Sequence, residues 1–223
     1  MRFRLLTCRV PKELKKIACT YPDARLLSSA AKSGGLIARQ AIARQWLSEG
    51  IPFAFKNCPG LYESIRVWLG TRLSIDPKAI GITGSAKIGQ SLSPSQIGNP
   101  FNDKSDLDLF VISEVLFDKI VSEFNSWAYD FESGKVSPSN SREERFWKAN
   151  IQRGPKNISK GFLDSKLVPN HANYFQVCNI AQTMWLLTQK LKVTSDAPKI
   201  SDASIRCYKT WESFVHQISL SLI

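Results

Sequence analysis

Residues 105–113, Ser-Asp-Leu-Asp-Leu-Phe-Val-Ile-Ser, constrain this chain more tightly than any other stretch. Leu109–Ile112 form a continuous apolar run of the kind that becomes a buried strand, yet two aspartates stand where it begins. Successive side chains on a strand alternate faces, so Asp106 and Asp108 point the same way, roughly 6 to 7 Å apart along the chain. Two like charges set side by side raise each other's pKa and cost desolvation unless something positive lies between them. A pair of Lys or Arg side chains meets that need, and so does a divalent cation. Mg²⁺ suits the second case, because it is typically held by one or two carboxylates together with substrate phosphates and water.

The surroundings bear on the choice. Upstream, Lys78-Ala-Ile-Gly-Ile82 reads as a short strand ending in Thr83-Gly84-Ser85, and small residues there let backbone N–H groups and the Ser85 hydroxyl come close to phosphate oxygens. A Gly-Ser loop facing a strand that presents Asp-x-Asp makes a phosphate cradle opposite a metal platform. Strand, Gly84-Ser85, a helical turn and then Ser105-Asp106-Leu-Asp108 on the next strand resembles the polymerase beta-like nucleotidyltransferase superfamily, over residues 79–168. The resemblance implies an α+β fold with a small mixed β-sheet core flanked by helices. It also implies Mg²⁺ or Mn²⁺ bound by Asp106 and Asp108, an NTP held through Gly84, Ser85, Lys87 and Ser105, and transfer of a nucleotidyl group with loss of pyrophosphate. A third carboxylate on a later strand completes such a site. Asp164, inside the strand candidate Ile158–Val168, fits that order better than Asp130 and Glu132 in a polar connector, or Glu143 and Glu144 at a helix start. One departure from the family pattern is the length of the segment between Ser85 and Asp106, which includes Ser93-Pro-Ser-Gln-Ile-Gly-Asn-Pro-Phe101.

Helical spacing marks Leu36–Gly50, stopped by its final glycine, and Leu61–Leu73, broken by Asp76-Pro77. Ser113 can cap a helix whose buried stripe is Leu116, Ile120, Phe124 and Trp127, and Ser141-Arg-Glu-Glu144 fits a capping box. From His171 onwards the chain reads as helices joined by a loop. The expected organisation is a basic, mainly helical segment at 1–78, a catalytic core at 79–169 and a helical region at 170–223.

The 223 residues suffice for one sizeable core, and no apolar stretch approaches the roughly 20 residues needed to span a bilayer. The first residues, MRFRLLTCRVPKEL, are interrupted by charge too early for a signal peptide, which points to the cytoplasm and away from membranes. Five scattered cysteines (Cys8, Cys19, Cys58, Cys178, Cys207) and two histidines argue against a disulfide framework and a structural zinc site.

The net charge of +11 is uneven: residues 1–80 carry 14 basic and 5 acidic side chains. That asymmetry favours a partner bearing phosphates, so among the acceptors the resemblance offers, RNA or tRNA fits best, with Arg39, Arg44, Arg66 and Arg72 as candidate phosphate contacts. A cationic antibiotic acceptor fits poorly. A protein hydroxyl, as in antitoxin-type or toxin-type enzymes, a second nucleotide, as in second-messenger synthases, and a catalytically silent nucleotide-binding module remain as alternatives. The presence of Gly84, Ser85, Asp106 and Asp108 together weighs against the last.

Overall fold

The computed structural model describes residues 10–222. Cys8 and the first nine residues of the basic 1–78 segment lie outside the described residues. The elements run α1 (Ala24–Ser33), α2 (Gly35–Gln45), α3 (Pro59–Leu73), β1 (Ile80–Ile82), α4 (Ser85–Ile88), β2 (Leu107–Ile112), α5 (Glu114–Glu132), α6 (Ser141–Ser159), β3 (Phe162–Asp164), α7 (Phe175–Val193), β4 (Ala203–Tyr208) and α8 (Trp211–Ser221), with short 3-10 turns between some of them. The fold is α+β with a mixed four-stranded sheet in the order β1-β2-β4-β3, in which β2 and β4 are parallel and both outer pairs antiparallel. None of the described helices is long and apolar enough to cross a membrane.

Local sequence sets most of these elements. Asp23 caps α1 by accepting from the N–H groups of Arg25 and Leu26, and Ser113 caps α5 by accepting from that of Leu116. The expected stripe of α5 is buried throughout, from Leu116 to Trp127. The cap of α6 falls one residue before the expected serine: Asn140 accepts from the N–H groups of Arg142 and Glu143, and the Glu143 carboxylate reaches back to the Ser139 N–H at 2.6 Å. An amide carbonyl one position earlier caps the helix in the serine's place, and the donors it satisfies shift back by one residue with it. α6 then runs on through Pro155 to Ser159, into the strand candidate Ile158–Val168, so β3 has only three residues. Pro155 lies on the exposed side of the helix, where its missing N–H leaves the buried packing undisturbed.

Residues 203–208 depart most from expectation. They fall within the stretch read as helices and a loop, yet they form β4, which pairs with β2 over its whole length, from Leu107 opposite Ala203 to Ile112 opposite Tyr208. The sheet therefore draws one of its two inner strands from the C-terminal part of the chain.

Strand alternation divides the core in two. Leu107, Leu109 and Val111 with Ala203, Ile205 and Cys207 face one side and join the cluster packed by α3, α5, α6 and α7. Phe110 and Tyr208 face the other, with Phe162, under α1, α2 and α8. Asp108 heads this second face at the end where the helical cover gives way to solvent. Cys19, Cys58, Cys178 and Cys207 are free thiols.

α5 and α6 approach closely at Gly154. A Cβ there would stand 1.9 Å from Cζ of the buried Phe124. An exposed helical Gly→Ala change usually stabilises, but here overpacking should dominate. Gly154→Ala is expected to cost about 1–3 kcal/mol and to lower the thermal midpoint by roughly 3–10 °C. A scanning-calorimetry midpoint equal to or above that of the wild type would contradict this packing.

Candidate active site

β1 ends at Ile82 and the chain turns through Thr83, whose N–H donates to the Asp108 carbonyl at 2.9 Å. Gly84 follows with φ of 68°, a left-handed conformation that a side chain would strain. It also faces the carboxylate directly, since a Cβ at Gly84 would lie 3.0 Å from Asp108 Oδ2. The bare backbone at Gly84 thus leaves open the space in front of Asp108, and Ser85 opens the short helix α4 beside it.

The long segment after α4 folds back on itself. Gln90 bridges to Pro100, Ser91 and Asn99 exchange a backbone bond, and the Phe101 N–H donates to Gly89 at 2.8 Å. Its two ends therefore meet, and the extra residues loop outward without stretching the path from Gly84 to Asp106. A turn then closes from Ser105 to Asn102. Ser105 itself serves this turn: its hydroxyl accepts from the Asn102 N–H, and its carbonyl accepts from Ser201 N–H.

Asp106 and Asp108 are both solvent-accessible, and among the described residues neither takes part in an ion pair. Their partners are hydroxyls. Ser201 donates to Asp106, and Ser204 donates to Asp108 Oδ1 at 3.0 Å. Crowding by surrounding protein raises the pKa of Asp108, and the nearby Asp106 and Asp164 charges add to that rise. The Ser204 hydrogen bond and the Arg206 guanidinium oppose it. Neither serine, nor Arg206, stands out in the sequence as a site residue. Their signal was the alternation of Ala203, Ile205 and Cys207 with Ser204 and Arg206, a period of two that is short and polar enough to pass for a loop.

Asp164 lies on the same sheet face but two strands from Asp108, with β4 between. It pairs with Arg206 at 3.6 Å and accepts from the Lys166 N–H at 3.0 Å, while Lys166 Nζ turns to Asp202. Among the described residues no three His, Cys, Asp or Glu side chains gather to hold one metal ion, so Asp106, Asp108 and Asp164 do not converge as a cluster. The other carboxylates weighed for the third position are occupied elsewhere or exposed. Asp130 accepts from the Tyr174 hydroxyl and pairs with Lys135, Glu143 helps cap α6, and Glu144 pairs with Lys148.

Lys87 is buried, and its ammonium donates to the carbonyls of Glu49 and Gly50. It ties α4 to the connector after α2 and does not face Asp108. Two of the four arginines weighed as phosphate contacts are likewise committed. Arg66 binds the Pro77 carbonyl at 2.8 Å and Glu63, and Arg72 reaches Thr183 and Gln182 on α7.

The carboxylate pair suits a divalent cation on chemical grounds. Asp106 and Asp108 offer anionic oxygens, among the described residues they have no cationic partner in direct contact, and Asp108 Oδ2 opens toward the bare backbone of Gly84. Comparison of the chain with protein-family models, with characterised proteins and with solved structures finds no match.

Two titrations follow. Because the folded pKa of Asp108 is raised, its ionisation weakens the fold as pH rises above the unfolded value near 4. In chelating buffer Asp108→Asn should match the wild type at pH 3 and unfold at higher denaturant at pH 7; a lower midpoint at pH 7 would make Asp108 a structural anion. Burial lowers the Lys87 pKa to about 8. The unfolded chain then holds more protons between pH 8 and roughly 10.4, so wild-type stability relative to Lys87→Met should climb across that window. A flat difference across it in denaturant titrations would show that the ammonium is not desolvated.

Proposed function

We propose that the protein is a metal-dependent nucleotidyltransferase that moves a nucleotidyl group from an NTP to an acceptor hydroxyl. The observation that carries this reading is the juxtaposition of Gly84 with Asp108 Oδ2: a turn without a side chain stands close to one carboxylate of an Asp-x-Asp pair whose side chains are held by hydroxyls. Asp106 and Asp108 would hold Mg²⁺ or Mn²⁺, which supplies positive charge to the triphosphate and lowers the pKa of the attacking hydroxyl.

The chain's own groups divide the remaining work. Gly84 and Ser85 admit the phosphates close to the backbone. Ser201 and Ser204 fix the carboxylate orientations by donating one hydrogen bond to each. Arg206, held by Asp164 and stacked over the Phe162 ring at 5.6 Å, sets a fixed positive charge one strand from Asp108. In the transfer step the acceptor oxygen forms a bond to the α-phosphorus, and the bond from that phosphorus to the pyrophosphate oxygen breaks. Pyrophosphate leaves with the electron pair, and the hydroxyl proton goes to water. Charge of this kind, placed before the reaction begins, typically contributes several kcal/mol to such a step.

The positive excess on the chain favours RNA as acceptor over a protein hydroxyl or a second nucleotide. The test is incubation with each labelled NTP, Mg²⁺ and total RNA or lysate protein. Label should enter the RNA fraction, Asp106→Ala and Asp108→Ala should reduce transfer by at least 10²-fold, and calorimetry should show NTP binding strengthened by Mg²⁺. Equal NTP affinity in chelator and in Mg²⁺, with no labelled fraction, would leave a nucleotide-free role for the carboxylates.

A further inference from the structure

The basic residues of α6 are not scattered. Arg142, Arg145, Arg153, Lys156 and Lys160, the last at its C-cap, follow one another at intervals of three, eight, three and four residues. At 3.6 residues per turn they fall within an arc of roughly 80° and extend along about 27 Å of helix. All five are exposed, and among the described residues none is in an ion pair. Side chains of like charge three and four apart repel one another, so the stripe is an arrangement that a line of negative charge would stabilise. The opposite side of the helix, with Trp147, Asn150 and Gly154, is buried against the core.

Each end of the stripe leads somewhere. At its C-terminal end Lys160 lines a groove shared with Arg44 and Gln40 of α2 and with Trp211, Glu212 and His216 of α8. At its N-terminal end Phe146 is 51% exposed and shares a shallow recess with Arg142 and Arg145. Phe146 also borders a cavity of about 530 Å³ between α6, α7 and the start of β4, whose walls include Lys166, His171 and Ser204. Ser204 is the residue that donates to Asp108. A path of exposed positive charge therefore ends at an aromatic ring, and the ring opens onto a cavity that touches the carboxylate site.

We infer that this path binds single-stranded RNA, with the phosphodiester backbone along the α6 stripe, a base on Phe146 and the terminal nucleotide in the cavity beside Ser204. For the fate of the terminal hydroxyl the inference rests on the nucleotidyl-transfer reading above; for binding it stands on α6 alone. A single strand fits better than a duplex, because an unpaired base can stack on an aromatic ring and its end can enter a cavity. A membrane surface fits poorly, since the apolar side of α6 is buried and Phe146 is the one large exposed apolar side chain on α6 itself. Arg44 keeps the role weighed for it in the sequence. Arg66 and Arg72, committed internally, give theirs up to α6.

The test is fluorescence anisotropy of a labelled 12-nucleotide RNA of mixed sequence, titrated with the full chain at several salt concentrations. Five contacts predict a log–log salt slope of about −3.5 for a single strand, and Arg145→Ala with Arg153→Ala and Lys156→Ala should reduce it by about 2. Phe146→Ala should weaken binding several-fold and leave the slope unchanged. Lys12→Ala with Lys15→Ala and Lys16→Ala, on a different part of the surface, serves as the control and should bind as the wild type does. A triple α6 variant that binds RNA like the wild type overturns the proposal, as does binding to anionic phosphatidylserine vesicles with no RNA binding. Because these measurements use neither NTP nor metal, they separate the two readings. RNA binding through α6 without any transfer supports the path and removes the enzyme, and transfer to a non-RNA acceptor without α6 binding does the reverse.

Discussion

The parallel pairing of β2 with β4 is the constraint on which the rest of the structure depends. It makes β2 an inner strand whose two faces along Leu109–Val111 are covered by helices, which is why that run is apolar without alternation. It also sets Ser204 opposite Asp108 and Arg206 opposite Phe110, so that hydroxyl and guanidinium stand on the sheet face that carries the carboxylates. A shift of one residue in this register would send Ser204 and Arg206 into the apolar layer and bring Ala203 and Ile205 to the site. The two hydrophobic clusters hold the register by penalising that shift on both faces at once.

The electrostatics of the site follow from this pairing. Asp106 and Asp108 are held by hydroxyls, which orient them without cancelling their charge, whereas Asp164 is held by Arg206. Among the described residues the three carboxylates on one face thus divide into a pair with no ion-pair partner and a single one held by a guanidinium. The raised pKa of Asp108 expresses the same imbalance, since crowding and two neighbouring anions outweigh one hydrogen bond and one guanidinium. A divalent cation or a substrate phosphate bound with one would shift that balance, and the compensated Asp164 would be affected least.

Part of the positive charge expected on the surface from the chain's first 80 residues is used inside the fold. Two of those basic residues act as structural cross-links: Arg66 secures the 3-10 turn before β1 and Arg72 joins α3 to α7, while Lys87, just beyond them, anchors α4 to the α2–α3 connector. Basic residues that bond to carbonyls and amides stabilise the fold and present little charge outward. A set of uncommitted arginines and lysines lies along one face of α6, a helix with five basic and two acidic residues.

Read alone, the sequence determined the elements whose signals are local. Ser113 and the Leu116–Trp127 stripe gave α5, Pro59–Leu73 gave a helix close to its expected limits, the expected Leu36–Gly50 helix ends early at Gln45, and Asp106-Leu-Asp108 gave a strand with two carboxylates on one side. These depend on capping, period and alternation, which act over a few residues. The sequence could not determine which strands would be neighbours. Ala203–Tyr208 is six residues with a weak alternation, and it is a strand because β2 and β3 satisfy its backbone on either side. The partners of the aspartates were hidden for the same reason: Ser201 and Ser204 are 95 and 96 residues away in the chain. Pairing across such separations is set by the common burial of two apolar layers, a property of the whole fold that no short stretch carries.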